Sequence, residues 1–266
     1  WLSLGGGALM LLICAASGKL PKLSRRHLVT YAIGGILSIS APMSLLALSA
    51  PKLPSSIITM IVVLSPLLSY LFALTVKLDT FRWLGLLGFL CGLGGVLLIL
   101  IPDASLPDPD MAIWVIITLL APVFLALFNI FIDTYAPTDE SSLRLGTGIL
   151  LAAGIIMLPF TALLSDFHLF PGMNTEGDMA ILYATIINVV RWWLIFILIK
   201  MAGAVFVSQI AYVIVLGGFG WQALFFGSTV SSFVWGAAML LLIGLTVNTY
   251  SKHQKQRITI NRQDNS

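Results

Sequence analysis

Charged residues are scarce in this sequence, since only 9% of its 266 residues are Asp, Glu, Lys or Arg. A soluble domain of this length needs far more polar surface, so water is excluded as its main solvent. The cysteines, Cys14 and Cys91, lie in apolar runs and give neither a disulfide framework nor metal-ligand spacing. The three histidines, His27, His168 and His253, are expected in loops or the tail, too far apart for a metal site.

Other chemistry is missing as well. No phosphate-binding Gly-x4-Gly-Lys-Ser/Thr loop is present, so the chain is not expected to use ATP itself. No Asp or Glu lies deep in an apolar run, so a carboxylate proton relay has no evident carrier. The basic residues stand at the ends of apolar runs rather than on a soluble face, which argues against a nucleic-acid partner. We expect no cofactor and no enzymatic activity.

Apolar runs are abundant instead: 59% of the residues are hydrophobic and the mean hydropathy is +1.02. Runs of about 20 residues recur, and each can cross the hydrocarbon layer as a helix. The alternating segments of membrane strands are not visible. We predict an all-α, polytopic membrane bundle with nine spans, at 2–16, 28–49, 55–76, 83–101, 111–132, 145–165, 179–199, 203–225 and 231–250.

Lysine and arginine positions predict the orientation of these spans. If the loop that holds Lys19, Lys22, Arg25 and Arg26 is cytoplasmic, twelve of the 14 basic residues fall inside. Only Lys52 falls outside, and Arg191 lies within a span. The C-terminal tail, 251–266, is then cytoplasmic, and the protein is expected in the cell (inner) membrane.

An internal repeat organises the spans. An offset of 151 residues aligns Gly85 with Gly236 and Pro66 with Gly217, although residue identity is low and a chance match stays open. A repeat of five spans inserts its second copy upside down, which gives an inverted repeat. The first copy then lacks its opening helix, so nine of ten helices are expected. The short run 2–16 and the start at Trp1 fit a chain truncated at its N-terminus.

The segment 47–56 (ALSAPKLPSS), the run Leu64-Ser65-Pro66-Leu67 and the glycines at 85, 88, 94 and 95 resemble the EamA-type repeat of the drug/metabolite transporter superfamily. The resemblance implies two inverted five-helix halves, a central cavity and alternating access. It divides the chain into a first repeat at 1–102, an outer linker at 103–110 and a second repeat at 111–250. The Gly-Glu pair that the family often carries after the proline helix is absent in both copies.

The predicted site centres on Arg191, near the middle of span 179–199. Asn188 and Thr185 precede it by one and two helical turns and share its face. A guanidinium beside amide and hydroxyl groups suits a carboxylate or phosphate, so we expect these residues to bind an anionic or zwitterionic solute. One alternative is that the span boundary is misplaced and Arg191 marks the membrane interface. The other is that Arg191 bonds to backbone carbonyls of a broken helix.

Weaker predictions concern three other groups. Gln209 and Tyr212 share a helix face and either bind solute or join helices. Pro66 in one copy and Gly217 with Gly218 in the other are either hinges or packing residues. Asn129 and Asp133 form either a gate or, as the favoured reading for Asp133, a solvated helix end beside Asp139 and Glu140.

The function expected from these observations is secondary transport of small metabolites. A lipid or lipid-linked-carrier flippase is the alternative, and a membrane-embedded enzyme is disfavoured because no interface clusters His, Asp and Glu. The expected partners are a small solute and the bilayer, and a homodimer stays open.

Overall fold

The computed structural model describes residues 1–99, 111–137, 139–164, 177, 179–191, 194, 217, 221, 224, 235–240, 242–244, 246–247 and 250. Every regular element in this part of the chain is helical and none is a strand, which confirms the predicted all-α class for it. The chain divides into two compact units. Unit 1 comprises Trp1–Ser44 and Phe131–Gln209, and unit 2 comprises Leu45–Ile130 and Ile210–Ser266.

The helix boundaries follow the predicted spans closely at most ends. In chain order the helices are α1 (Leu2–Ala16), α2 (Arg25–Ser49), α3 (Ser55–Val62), α4 (Ser65–Thr75), α5 (Trp83–Ile99), α6 (Met111–Thr118), α7 (Leu120–Tyr135), α8 (Ser142–Leu164), α9 (Met179–Arg191) and α10 (Trp235–Gly244). Each compact unit draws on both predicted repeats, whose boundaries stay predictions.

Four helical stretches are long and apolar enough to cross a membrane. They are α2, the stretch Ile57–Thr75 through α3 and α4, the stretch Met111–Tyr135 through α6 and α7, and α8. Membrane insertion is therefore indicated. The count of nine spans and the inverted repeat stay predictions, because span 203–225 lies almost wholly outside the described residues.

Hydroxyl side chains inside the helices bond to the backbone of their own helix. Each of these hydroxyls donates to the carbonyl four residues earlier, at 2.6 to 2.9 Å: Thr30, Ser38, Ser49, Thr59, Ser69, Thr118, Thr147 and Thr185. No water is present in hydrocarbon to form hydrogen bonds with these hydroxyls. A hydrogen bond to a carbonyl of the same helix therefore lets them lie in an apolar span.

α2 departs from the predicted span at its start and in its middle. It is π-helical over Ile36–Ser40, directly before Pro42. Proline lacks the N–H for a regular helical bond, and a wider turn before it accommodates that loss. α2 also begins at Arg25, three residues before the predicted start. The expectation that His27 lies in a loop is therefore wrong, because the helix continues through this polar first turn.

Unit 1 is built on close approach of α1 and α2 to α8. A Cβ atom on Gly35 of α2 would lie 2.8 Å from the backbone nitrogen of Ala153. On Gly148 of α8 it would lie 2.6 Å from the ring of Tyr31. Glycine lets these backbones pack at a distance that no larger residue permits, as is common between membrane helices.

Unit 2 holds an interrupted helix at its core. The span predicted at 55–76 is two helices, since α3 ends at Val62 and α4 begins at Ser65, next to Pro66. Between them the Leu64 N–H bonds to the Ile61 carbonyl, three residues back, at 3.1 Å. The side chains around the break are almost fully buried: Ile57, Met60, Ile61, Leu64 and Leu67. α3 packs against α5 and α6, and α4 packs against α5.

The α2–α8 approach gives a stability prediction. Gly35→Ala should lower the free energy of unfolding by about 1–3 kcal/mol, and with it the melting temperature in detergent. The reason is that the added methyl group meets the backbone of Ala153 and not a movable side chain. Gly94→Ala is the matched control, since its Cβ would lie 4.0 Å from Leu240. The control should melt at the wild-type temperature or slightly above it, as alanine favours a helix. Equal melting of the two variants would contradict this packing.

Candidate functional site

Arg191 and Asn188, the centre of the predicted solute site, lie together on α9. Arg191 donates from Nη2 to the Asn188 side-chain oxygen at 2.8 Å. The guanidinium is exposed and Asn188 is half-buried. Residue 194 is the only position from 192 to 200 that the structure describes, so the depth of Arg191 in its span stays a prediction. The sequence pattern does bring this polar pair together.

Thr185, the third residue of that face, is buried against α1. Its hydroxyl donates to the Ile181 carbonyl at 2.9 Å. A Cβ on Gly5 would lie only 2.8 Å from the Thr185 methyl group, and one on Gly6 would lie 3.7 Å from the Asn188 amide nitrogen. The contacts of Thr185 therefore favour helix packing over solute binding.

The predicted hinge residues are only partly described. Pro66 is exposed at the start of α4, beside the break between α3 and α4. Gly217 is helical and exposed, whereas Gly218, Gln209 and Tyr212 lie outside the described residues. The helix break at Pro66 is thus a structural feature, and its role as a hinge stays a prediction.

Asn129 and Asp133 lie one turn apart on α7 and differ in their contacts. Asn129 donates from its amide nitrogen to the Ser69 hydroxyl of α4 at 2.9 Å, which joins two helices of unit 2. Asp133 is exposed near the end of α7. Its exposure fits the solvated helix end, and the alternative gate role stays a prediction.

A polar cluster that sequence reasoning missed lies in unit 1, where α2 and α8 begin. His27, on the first turn of α2, is 5% exposed. Its Nδ1 lies 2.6 Å from the hydroxyl of Ser24, the residue that precedes the helix. Its Nε2 lies 3.4 Å from an oxygen of Asp139 and 3.4 Å from one of Glu140. A histidine and two carboxylates, separated by more than 110 residues in sequence, therefore meet at one point.

Glu140 is the buried member of this cluster. Its side chain is 0% exposed, although the sequence places it beside the solvated helix end that is predicted for Asp133. One carboxylate oxygen accepts the Tyr31 hydroxyl at 2.7 Å, and the other accepts the Lys22 backbone N–H at 3.0 Å. A carboxylate leaves water only where such donors replace it, so the folding of loop 17–24 over residue 140 determines its burial.

Asp139 is the exposed member. Its Oδ2 accepts a hydrogen bond from the ammonium group of Lys22, and both side chains are about half exposed. This hydrogen bond holds the pKa of the Asp139 carboxyl below its usual value. The ion pair therefore contributes to stability above the unfolded pKa of aspartate and is lost as the pH falls through the lower folded value. Acidification through that lowered pKa should loosen the contact between Asp139 and Lys22.

The cluster brings an imidazole, two carboxylates, a phenol and an ammonium together. Within the described ranges no group of three His, Cys, Asp or Glu side chains is arranged to hold a metal ion. A weak signal was present in the sequence: His27 and Tyr31 are four residues apart, which puts them on one helix face. The acidic partners could not be inferred, because nothing local links residue 27 to residue 140.

Substitutions in the cluster should rank by burial. Glu140→Ala should lower the melting temperature most, because it leaves the buried Tyr31 hydroxyl without its acceptor, at about 1–3 kcal/mol, and also removes the exposed hydrogen bond from the Lys22 N–H. Tyr31→Phe removes one hydrogen bond, worth about 1 kcal/mol. Asp139→Ala is the exposed-carboxylate control and should change least. Thermal unfolding in one detergent compares the three, and equal losses for the two carboxylate variants would refute the burial of Glu140.

In comparisons with known proteins, no family model and no curated protein matches the chain. The resemblance to the EamA-type repeat therefore stays a prediction from the sequence.

Proposed function

We propose that this chain is a secondary transporter, which moves small anionic or zwitterionic metabolites across the bilayer by alternating access. The observation that carries the proposal is the Arg191–Asn188 pair on the apolar helix α9. In the predicted span 179–199 Arg191 lies near the middle, where a charged residue costs about 2.5–3.5 kcal/mol on insertion scales. Such residues commonly serve a solute or ion pathway.

The geometry of the pair suits recognition of an anion. Asn188 is an acceptor for one Nη2 hydrogen of Arg191 and so restrains the guanidinium plane. A planar guanidinium can donate two parallel hydrogen bonds to a carboxylate or phosphate, and fixing its plane lowers the entropic cost of binding. The class of solute that fits is a small acid or amino acid.

Two irregular helices support a mechanism of alternating access. The break between α3 and α4 beside Pro66 and the π-helical turn of α2 before Pro42 both interrupt regular hydrogen bonding within candidate spans. Interrupted helices are characteristic of transporters, in which the segments on either side move against each other. Pro66 is the proposed hinge, with Gly217 and Gly218 as its counterparts in the second repeat.

Basic residues support the proposed topology. Twelve of the 14 lysines and arginines fall on one side if nine spans alternate across the bilayer. That side includes loop 17–24 and the C-terminal tail, and we assign it to the cytoplasm of a cell (inner) membrane. The two repeats are then inverted.

A flux assay in proteoliposomes tests the transport proposal. The wild-type chain should accumulate at least one member of a radiolabelled panel of dicarboxylates, amino acids and phosphate monoesters above empty vesicles. Arg191→Ala should fold, insert and lose flux of the anionic member about tenfold or more, because it removes a charge-assisted bidentate contact of about 1.5–3 kcal/mol. Arg25→Ala, an exposed arginine at the start of α2, is the matched control and should keep wild-type flux.

Two results separate the site from the function. Wild-type flux by Arg191→Ala would remove the assigned site and leave transport intact. No flux of any panel member by the wild type would overturn the transport class. A fluorescent phospholipid translocated in the same vesicles would then favour the flippase alternative.

Topology is tested by labelling single cysteines with an impermeant maleimide in a variant without Cys14 and Cys91. Lys19→Cys and Lys252→Cys should react from the same face of sealed vesicles, since both fall in the proposed cytoplasmic segments. Lys52→Cys is the control for the opposite face. Reaction of the first two from opposite faces is incompatible with nine alternating spans.

A further inference from the structure

Glu140 is a buried carboxylate whose positive partner is a histidine. Among the described ion pairs, Lys22 neutralises Asp139, whereas Glu140 is within ion-pair distance of His27 alone. The Tyr31 hydroxyl and the Lys22 N–H give hydrogen bonds without a full charge. A buried charge is costly unless an opposite charge accompanies it. An imidazolium at position 27 would supply that charge.

The hydrogen-bond geometry restricts which forms of His27 fit. Nε2 makes no hydrogen bond and faces carboxylate oxygens of Asp139 and Glu140 at 3.4 Å. A lone pair on Nε2 would repel both oxygens, so a hydrogen must sit there. In the neutral ring Nδ1 then accepts from Ser24, and in the protonated ring it donates to the Ser24 oxygen. One geometry therefore accepts both charge states, which a reversible proton site requires.

Other charged and titratable groups around His27 come from each adjoining segment. Lys22 precedes α2 and is bound to Asp139. Tyr31 lies on the same helix, with its ring centre 6.3 Å from the imidazole. Arg144, on the first turn of α8, bonds to Ser141, and its positive charge acts on Tyr31. Lys22 and Arg144 therefore lie at the edge of the cluster, and the groups that face Nε2 directly are the two carboxylates.

We propose that His27 and Glu140 form a proton-binding site, and that the proton bound there is the ion coupled to solute movement. This inference rests on the proposed transport function and names its coupling ion. Asp139 is half exposed and touches the same Nε2, so its carboxylate connects the buried imidazole with water. Asp139 is thus the proton relay at the mouth of the site.

The proton step is a simple transfer. A proton from one aqueous phase passes by way of Asp139 to the imidazole, which becomes imidazolium, and in the opposite conformation of the proposed cycle the imidazolium releases that proton to the other aqueous phase. Binding strengthens the link between α2, which carries His27, and the segment 139–141 before α8. Release leaves a neutral ring beside two carboxylates and weakens that link. Proton occupancy thereby biases the packing of α2 on α8, which gives a route from the pH gradient to helix movement.

The experiment imposes a pH gradient on proteoliposomes and measures initial uptake of the panel solute that the wild type transports fastest. Histidine occupancy changes up to about tenfold per pH unit away from its midpoint, so a two-unit gradient should change wild-type uptake several-fold. His27→Gln keeps an amide that can bond to the carboxylates but cannot titrate. It should transport at a rate that no longer depends on the gradient. His253→Gln, in the C-terminal tail, is the matched control and should keep the full dependence.

The outcomes separate the inference from the proposed function. Uptake by the wild type that ignores the gradient, or His27→Gln uptake that still follows it, overturns proton coupling while transport stands. Absence of uptake for every panel solute overturns transport and this inference with it. Loss of gradient dependence in His27→Gln alone supports the site.

A second measurement needs no transport and stays decisive if His27→Gln fails to fold. In the variant His168→Gln/His253→Gln, His27 is the sole histidine, and its ring ¹⁵N signals can be followed in detergent against pH. Reversible titration of this one ring between about pH 5 and 8, the range in which histidine works as a switch, supports the site. A ring whose signals stay constant over that range overturns it.

Discussion

Polar groups in the apolar helices of this protein need partners inside the chain, because four of the described stretches are long and apolar enough to lie in hydrocarbon. Several hydroxyl side chains of the described helices meet this constraint. Hydroxyls such as those of Thr30 and Ser69 bond to a carbonyl one turn earlier. Where the backbone pattern itself fails, beside Pro42 and Pro66, the chain changes helix type or starts a new helix. The irregular points are thus consequences of the same constraint.

Close helix contact and the polar cluster depend on each other in unit 1. Gly148 lets the Tyr31 ring lie against α8, and the hydroxyl of that ring bonds to Glu140, just before α8 begins. A larger residue at 148 would push α2 outward and withdraw the donor from the buried carboxylate. Glycine packing, which carries no chemistry of its own, therefore sets the geometry of the most polar place in the described structure.

The two candidate sites handle charge in different ways. Arg191 is permanently charged, and its bond to Asn188 orients it without neutralising it, which suits contact with an anionic solute. His27 and Glu140 form a pair in which one member can gain or lose its charge, which suits a coupling ion. The proposed proton-coupled transport requires both functions, one group that recognises the solute and one that binds the coupling proton. Both sites lie in unit 1.

The sequence by itself determined the apolar character of the chain, its helical class and most helix ends, because the length of an apolar run and its breakers act locally. It also paired Arg191 with Asn188, since a spacing of three residues sets a common helix face. Only the tertiary structure decided that Thr185 packs on Gly5 and that His27 is buried beside Glu140. Those contacts depend on which helices approach each other, and no local pattern links residues so far apart along the chain.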